Sequence, residues 1–202
     1  MSDSRGLRLQ WTPESQAFWF DAGAVCLELL TTGGELSWGY EEFLRTPTDV
    51  QEWAKASRVN ADELAVDEDG LDELRGLREA VWNVAKAVMA SDPPPPRDLA
   101  RLNERATTSA VPQIDEHQNK HWQKPMTASQ FTGTIARDAI ELFSGPYADR
   151  VRQCEGHCEL IFVDTSRPGK RRWCSMQRCG NRAKIREFRD RQRTGTEGGG
   201  TR

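Results

Sequence analysis

Four cysteines lie in two short pairs near the C-terminal end of the chain. The pairs are Cys154 with Cys158 and Cys174 with Cys179, and fifteen residues separate them. Cysteine pairs at this kind of spacing bend around a tetrahedral zinc ion, and an insert of this length brings two pairs together. Four thiolates close the tetrahedron and leave no position for a reactive water. The spacing therefore predicts one structural Zn²⁺ ion rather than a catalytic one.

Two other interpretations of these cysteines are disulfide bonds and unconnected buried thiols. Residues 1–5 are not the basic start of a secretory signal, so we expect a cytoplasmic protein with reduced thiols, which argues against disulfides. A different set of ligands is a further alternative. His157 lies between the first two cysteines and could bind the metal in place of Cys158. With four thiolates available, we expect all four cysteines to be the ligands.

The other histidines and the fifth cysteine do not predict a second metal site or a catalytic site. His117 and His121 are four residues apart, but they fall in a segment that reads as a hairpin, and no third ligand stands nearby. Cys26 lies in an apolar run and is expected to be buried. The chain has no glycine-rich phosphate loop, nucleophile elbow or metalloprotease helix motif. We therefore expect a protein that is not an enzyme.

Charge is divided unequally along the chain. Residues 150–193 contain 13 Lys and Arg against 5 Asp and Glu, a net charge of +8. Residues 194–202 are neutral, so the whole-chain charge of −3 leaves −11 on residues 1–149. The cationic surface is thus confined to the cysteine-containing end, and it predicts an anionic partner for that end.

An arginine-rich helix is predicted directly after the fourth cysteine. Residues 182–193 contain no Pro or Gly, and Arg182, Arg186, Arg189 and Arg193 recur at helical spacing. Ala183, Ile185 and Phe188 are expected to pack inward. Guanidinium groups on one helix face suit phosphate contacts. We predict that DNA contacts six basic residues: Arg171, Arg172, Arg182, Lys184, Arg186 and Arg189.

Helical spacing alone leaves four alternatives to DNA open. The basic face could bind RNA, dock on an acidic surface of another protein, dock on the acidic part of this same chain, or simply be solvated. Of these interpretations we favour nucleic acid. A single short helix contacts only a few base pairs, so specific DNA binding would favour a homodimer or a second contact.

The predicted elements around the cysteines are a pair, a hairpin, a second pair and a helix. Residues 160–163 are β-branched and aromatic, residues 166–170 are a turn, and 171–173 are expected to form the returning strand. Phe162 and Trp173 are expected in the core of this small module. Zinc is required because so few residues cannot build a sufficient core unaided.

The rest of the chain predicts a mainly helical domain. Apolar periodicity and helix-start signals predict four helices, at residues 46–57, 69–90, 98–107 and 127–143. Pro93 to Pro96 form a linker, and residues 110–125 favour a hairpin. Residues 17–31 predict a strand, a turn and an apolar segment that is either strand or short helix. The longest apolar run, 22–30, contains Glu28 and is too short to cross a bilayer, so no membrane contact is expected.

The C-terminal segment resembles the bacterial CGNR zinc finger proteins. The resemblance covers about forty residues and rests on strings of specific residues. These are Val151-Arg152-Gln153-Cys154, Cys158, Phe162-Val163-Asp164-Thr165-Ser166, Arg172-Trp173-Cys174-Ser175-Met176 and Cys179-Gly180-Asn181-Arg182-Ala183-Lys184. The resemblance implies four cysteine ligands and DNA binding.

The preceding residues are similar to the ABATE domain, the usual partner of this finger and a domain associated with stress-induced transcription regulation. The segments that match are 22–31, the helix around Leu74-Arg75, Leu102-Asn103 and 135–139. The family usually has a Leu-Asp-aromatic-aliphatic-Asn-Thr string. This chain has Leu27-Glu28-Leu29-Leu30-Thr31-Thr32, which lacks the asparagine, so the resemblance does not carry a role of that asparagine over to this chain.

The predicted fold is mainly α with small β elements. A helical, acidic, regulatory domain spans residues 1–147, and a zinc-bound hairpin-and-helix module of treble-clef-like form spans 148–193. Residues 194–202 are expected to be a disordered tail. The predicted function is a DNA-binding transcription regulator. Its N-terminal domain would sense a small molecule or protein signal, dimerise or recruit a partner.

Overall fold

The structure is a computed structural model, and it describes residues 9–11, 17–20, 22–33, 42–156 and 158–196. Three features considered above lie outside these residues: the N-terminal segment 1–5, His157, and residues 197–202 of the expected tail. The side chain of Arg193 is likewise outside the described part. Among the described residues, no helix combines the length and the apolar character needed to cross a bilayer.

The described residues contain six α-helices and eight short strands, joined by turns and irregular segments. The helices are α1 Val25–Leu29, α2 Pro47–Ala56, α3 Glu68–Ala90, α4 Pro96–Arg105, α5 Ala128–Ser144 and α6 Asn181–Thr196. The strands are β1 Leu9–Trp11, β2 Ala17–Trp19, β3 Leu64–Ala65, β4 Pro112–Ile114, β5 Lys120–Trp122, β6 Met126–Thr127, β7 Val151–Gln153 and β8 Ile161–Val163. The predicted mainly helical fold with small β elements is confirmed.

The strands form four separate two-stranded sheets. The pairs β1–β2, β4–β5 and β7–β8 are antiparallel, and β3–β6 is parallel. The expected hairpin at 110–125 is confirmed by β4 and β5, in which Pro112 lies opposite Trp122. None of these sheets is large enough to form a layer of its own, so helices build the core.

Helices α3, α4 and α5 pack on one another and form the centre of the molecule. The apolar stripe that predicts α3 has six residues. Five are at most 1% exposed, namely Leu71, Leu74, Leu77, Val81 and Val84, and the sixth, Val88, is half-buried. The Asp67 side chain caps α3 by accepting from the Gly70 N–H at 2.9 Å. The helix ends at Ser91, which adopts a left-handed conformation just before the proline run.

The undecided apolar segment after β2 is a helix. In α1 all five residues are buried, and a 3₁₀ turn, Leu30–Thr32, continues it. Its first turn is tied to α5, because the Cys26 N–H donates to Asp138 Oδ2 at 2.9 Å. Glu28 is fully buried within the apolar run, where the Arg58 guanidinium pairs with its carboxylate. That pairing permits a charge inside the core.

The β7–β8 hairpin joins the zinc-binding segment to the helical core. Side chains alternate between the two faces of a strand, so the hairpin contributes to two cores at once. Val151, Ile161 and Val163 belong to the main core, whereas Phe162 faces the cysteines. The Val163 N–H also donates to the carbonyl of Ala22 at 2.8 Å. This close approach is made beside Gly23, whose φ of 92° suits glycine.

Candidate metal centre and nucleic-acid interface

The four predicted ligands converge on one point. All four sulfurs lie within 4.8 Å of one another, and the cysteines are 2–4% exposed. Cys158 Sγ lies 3.5 Å from Cys174 Sγ and 3.4 Å from Cys179 Sγ, and Cys174 lies 3.9 Å from Cys179. A tetrahedral zinc with bonds of about 2.3 Å requires sulfurs about 3.8 Å apart. A disulfide requires about 2.05 Å, and all four thiols are free.

Different structural elements position the two pairs. Cys154 follows β7 directly and Cys158 precedes β8, so the first pair lies in the turn of the hairpin. Cys174 lies in an irregular segment, and Cys179 lies in a π-helical turn, Met176–Gly180, that runs into α6. In that turn the N–H groups of Cys179 and Gly180 both donate to the Ser175 carbonyl at 3.0 Å. The fourth ligand therefore fixes the start of α6.

Backbone donors surround the Cys154 sulfur. The N–H groups of Gly156 and Cys174 each point at it from 3.4 Å. A side chain at Gly156 would place its Cβ 2.9 Å from the Cβ of Cys179 and 3.1 Å from its sulfur. Only glycine fits this position, which the sequence reasoning did not identify. The glycine between the first two cysteines was the available signal.

The four sulfurs lie so close together that ionising all of them needs a compensating positive charge. Hydrogen bonds from the Cys158 and Cys174 side chains, aided by backbone N–H donors, lower the pKa of Cys154 to about 2. The same interactions raise the pKa of Cys158 far above its usual range. One thiolate thus forms readily while its neighbour resists losing its proton. A divalent ion that binds soft sulfur ligands compensates for four adjacent thiolates, and the cluster fits one structural zinc ion.

Asp164 organises the segment between the hairpin and the second cysteine pair. Its side chain is fully buried and accepts from the Ser166 N–H at 2.9 Å and the Arg171 N–H at 2.7 Å. Burial alone would raise the pKa of this carboxyl, but these donors outweigh it and hold the pKa below its usual value.

The strand expected at residues 171–173 is absent from the structure, and this prediction is wrong. The Arg171 N–H, which a returning strand would use in a ladder, instead bonds to Asp164. Strand β8 pairs with β7, which lies before the first cysteine pair. The hairpin is therefore built around the first pair rather than between the pairs. Sequence spacing could not reveal this choice of partner.

Arg171 and Arg172 are both engaged within the module. The Arg171 guanidinium lies 5.0 Å from the centre of the Phe162 ring and donates to the Cys174 carbonyl. Arg172 Nε donates to Glu155 at 2.6 Å, and its guanidinium lies 4.7 Å from the centre of the Trp173 ring. These contacts give both arginines a packing role, and contact with nucleic acid stays a prediction for them.

The other four predicted contacts lie together on α6 with exposed side chains: Arg182, Lys184, Arg186 and Arg189. The helix packs chiefly on the π-helical turn before it. The expected inward packing of Ile185 and Phe188 is wrong, because these side chains are 52% and 56% exposed. Among the residues that the structure describes, none covers them, and Ala183 alone of the expected three is half-buried.

The remaining candidates behave as simple surface or core residues. His117 lies in the β4–β5 turn and His121 in β5, both exposed, and within the described ranges neither joins a group of metal ligands. Cys26 is fully buried, and its burial and nearby Asp138 raise the pKa of its thiol well above the usual value. It is therefore an inert apolar residue, as expected.

Helix α6 also extends further than predicted. It continues to Thr196, so residues 194–196, expected to begin the disordered tail, are helical. The part of α6 whose side chains are described, residues 181–192, is about 18 Å long. Along this length every described side chain except Ala183 is exposed.

Comparison with known families matches two parts of the chain. Residues 23–146 match the ABATE family, described as "Putative stress-induced transcription regulator", and residues 150–192 match the CGNR zinc finger. Neither is a family of enzymes. No curated protein matches the chain. The first match covers more than half of the sequence, and the second spans all four cysteine ligands. The chain therefore belongs to the ABATE family and carries a CGNR zinc finger at its C-terminal end.

Proposed function

We propose that the protein is a non-enzymatic, zinc-dependent transcription regulator that binds duplex DNA through α6. One observation carries this proposal: an exposed cationic helix begins at Asn181, two residues after the fourth zinc ligand, Cys179, and continues the turn that contains this ligand. The metal thereby fixes the position and direction of the helix. Residues 148–193 form the DNA-binding module in this proposal, and residues 1–147 form the regulatory domain.

The proposed contacts are electrostatic and positional. Arg182, Arg186 and Arg189 recur at helical spacing on one face, and Lys184 lies on an adjoining one. Guanidinium groups suit phosphate oxygens because they present several donors in a planar fork. Arg171 and Arg172 are secondary contacts, since their guanidinium groups pack on the rings of Phe162 and Trp173 inside the module.

Exposure of the helix supports an external partner over docking on the acidic part of the same chain. Every described side chain from 181 to 192 is exposed, apart from the half-buried Ala183. A helix held against residues 1–147 would bury its cations. RNA remains the second candidate partner, because phosphate contacts alone do not distinguish the two nucleic acids.

Assembly and location complete the proposal. A single helix of this length contacts only a few base pairs, so we propose a homodimer or a second DNA contact as the source of specificity. The regulatory domain would respond to a small molecule or protein signal. We place the protein in the cytoplasm, where cysteines stay reduced and available to zinc.

The test is duplex binding by the zinc-loaded full chain across a series of salt concentrations. We expect affinity to fall with salt with a slope corresponding to about four to six phosphates. The double variant Arg182→Glu/Arg186→Glu should lose more than about tenfold in affinity at low salt.

The matched control is Lys86→Glu/Arg97→Glu, which changes the net charge equally at two exposed cations of the helical domain. It should bind almost as the parent does. Equal losses in the two double variants would mean that overall charge, not α6, determines binding. Strong binding to single-stranded RNA with none to duplex DNA would transfer the proposal to RNA.

A further inference from the structure

Two large apolar side chains face away from the protein on α6. Ile185 and Phe188 are more than half exposed although the helix is anchored at a metal site. They are three residues apart, and Gln192 follows four residues later, so the three side chains form one line along the helix. Gln192 is also exposed. The line contains no charged residue.

Cations border this line on both sides. Arg182, Arg186 and Arg189 lie about a quarter of a turn away on one side. Lys184 and Arg191, seven residues apart, lie about a quarter of a turn away on the other side. All five side chains are exposed. The helix therefore presents an uncharged line between two cationic borders.

The side of α6 that faces the module has a different character. Four residues of α6, Arg182, Ala183, Arg186 and Glu187, line a cleft of about 340 Å³ together with Glu155 and Glu159 of the cysteine loop, so the cationic border that contains Arg182 and Arg186 reaches the edge of this cleft. Ile185, Phe188 and Gln192 do not line it. The uncharged line therefore points away from the cleft, toward any partner that approaches the exposed helix.

This arrangement matches the major groove of duplex DNA. The groove is about 12 Å wide and admits one α-helix, with base edges at its floor and phosphates of the two strands at its sides. A helix in the groove needs cations on both flanks and base-reading side chains between them. Ile185 and Phe188 are separated by about 4.5 Å along the helix axis, compared with about 3.4 Å between adjacent base pairs, so the two side chains span about one base-pair step.

Charge favours a polyanion over a second copy of this face. Pairing two such helices through Ile185 and Phe188 would bring both cationic borders of each copy together. Like charges at that distance repel, whereas phosphates neutralise them. An apolar side chain at the floor of the groove has one particularly suitable target, the 5-methyl group of thymine.

We propose that Ile185 and Phe188 contact thymine methyl groups in the major groove and give the protein a preference for thymine-containing sites. Gln192 continues the line, and a glutamine can bond the adenine edge of a neighbouring A·T pair. The proposal rests on the proposed DNA binding by α6. It assigns the arginines to phosphates and the uncharged line to bases.

The test compares duplexes that differ only in the methyl group. Zinc-loaded full chain is titrated with alternating dA–dT and dA–dU duplexes of equal length, which have identical phosphates. We expect about fourfold tighter binding to the dA–dT duplex for each methyl that is buried. Alternating dG–dC duplexes should gain affinity when cytosine is replaced by 5-methylcytosine.

The variant Ile185→Ala/Phe188→Ala should bind both duplexes with the affinity that the parent shows for dA–dU, and with an unchanged salt slope. Both positions are exposed, so the variant should retain its fold and its zinc. The control Ile114→Ala removes another exposed apolar side chain, 72% exposed in β4, and should keep the discrimination.

Three outcomes separate the two proposals. Failure of every duplex to bind would overturn DNA binding itself. Duplex binding with equal affinity for thymine and uracil would overturn the methyl contacts and leave DNA binding intact. Loss of self-association in Ile185→Ala/Phe188→Ala, with thymine preference unchanged, would assign the line to a dimer interface and also overturn the inference.

Discussion

At the scale of single residues, the metal site depends on four sulfurs and on the groups that hold them. Gly156 leaves room for Cys179, and its N–H points at the Cys154 sulfur. Asp164 holds the backbone of Arg171, three residues before Cys174. These neighbours fix the approach of each thiolate before the metal closes the site. Because all four ligands are needed to close the tetrahedron, each should be indispensable.

Loss of one ligand should abolish stoichiometric zinc. Purified parent protein should contain one zinc per chain, and Cys174→Ser should contain close to none at equal protein concentration, because a serine hydroxyl does not replace the thiolate. Elemental analysis after gel filtration measures this directly. Cys26→Ala is the matched control, since it removes a buried cysteine outside the cluster and should keep its zinc. Stoichiometric zinc in Cys174→Ser would refute the ligand assignment.

At the scale of elements, the β7–β8 hairpin links the metal to the helices. Its two faces serve two cores, with Ile161 and Val163 in the helical core and Phe162 beside the cysteines. Zinc holds the turn of this hairpin through Cys154 and Cys158. Removal of the metal should therefore loosen strands whose other face packs in the helical core beside α3, and the effect should reach the helical domain that precedes residue 147.

A mutational cycle with zinc measures this link. Ile161→Ala should cost about 2–5 kcal/mol of unfolding free energy in the zinc-loaded protein and much less after chelation, when the hairpin has already detached. Leu77→Ala in α3 is the control and should cost a similar amount in both states. Urea unfolding followed by far-ultraviolet circular dichroism gives all four values. An equal cost of Ile161→Ala with and without zinc would show that the hairpin stays docked without the metal.

Helices and ligands were predictable from the sequence because their signals are local. Periodic apolar residues and caps identified α3 and α5 to within a residue or two, and cysteine spacing identified the metal ligands. Strand pairing was not predictable, because the β7–β8 pair is stabilised by contacts with residues that are distant in sequence. The Val163 N–H in β8 donates to the carbonyl of Ala22, and the hairpin packs on the helical core. The exposure of Ile185 and Phe188 was missed because periodicity shows which residues share a face and not whether anything covers it.

At the scale of the whole molecule, negative and positive charge lie in different parts of the chain. Residues 1–149 have a net charge of −11, and residues 150–193 have +8. Four thiolates with one zinc ion add −2, so the metal-held end remains cationic at about +6. The acidic part repels nucleic acid and leaves the cationic helix as the surface that an anionic partner can approach. Zinc holds the turn from which α6 extends and so fixes the position of this cationic surface.

The most direct measurement of this account is duplex DNA binding by the full chain before zinc removal, after chelation, and after zinc is returned. Fluorescence anisotropy at low salt should show binding by the zinc-loaded protein, loss of more than about tenfold in affinity after chelation, and recovery with zinc. Cys174→Ser should not recover. Undiminished binding by the zinc-free chain would contradict the claim that the metal-held helix is the DNA-binding surface.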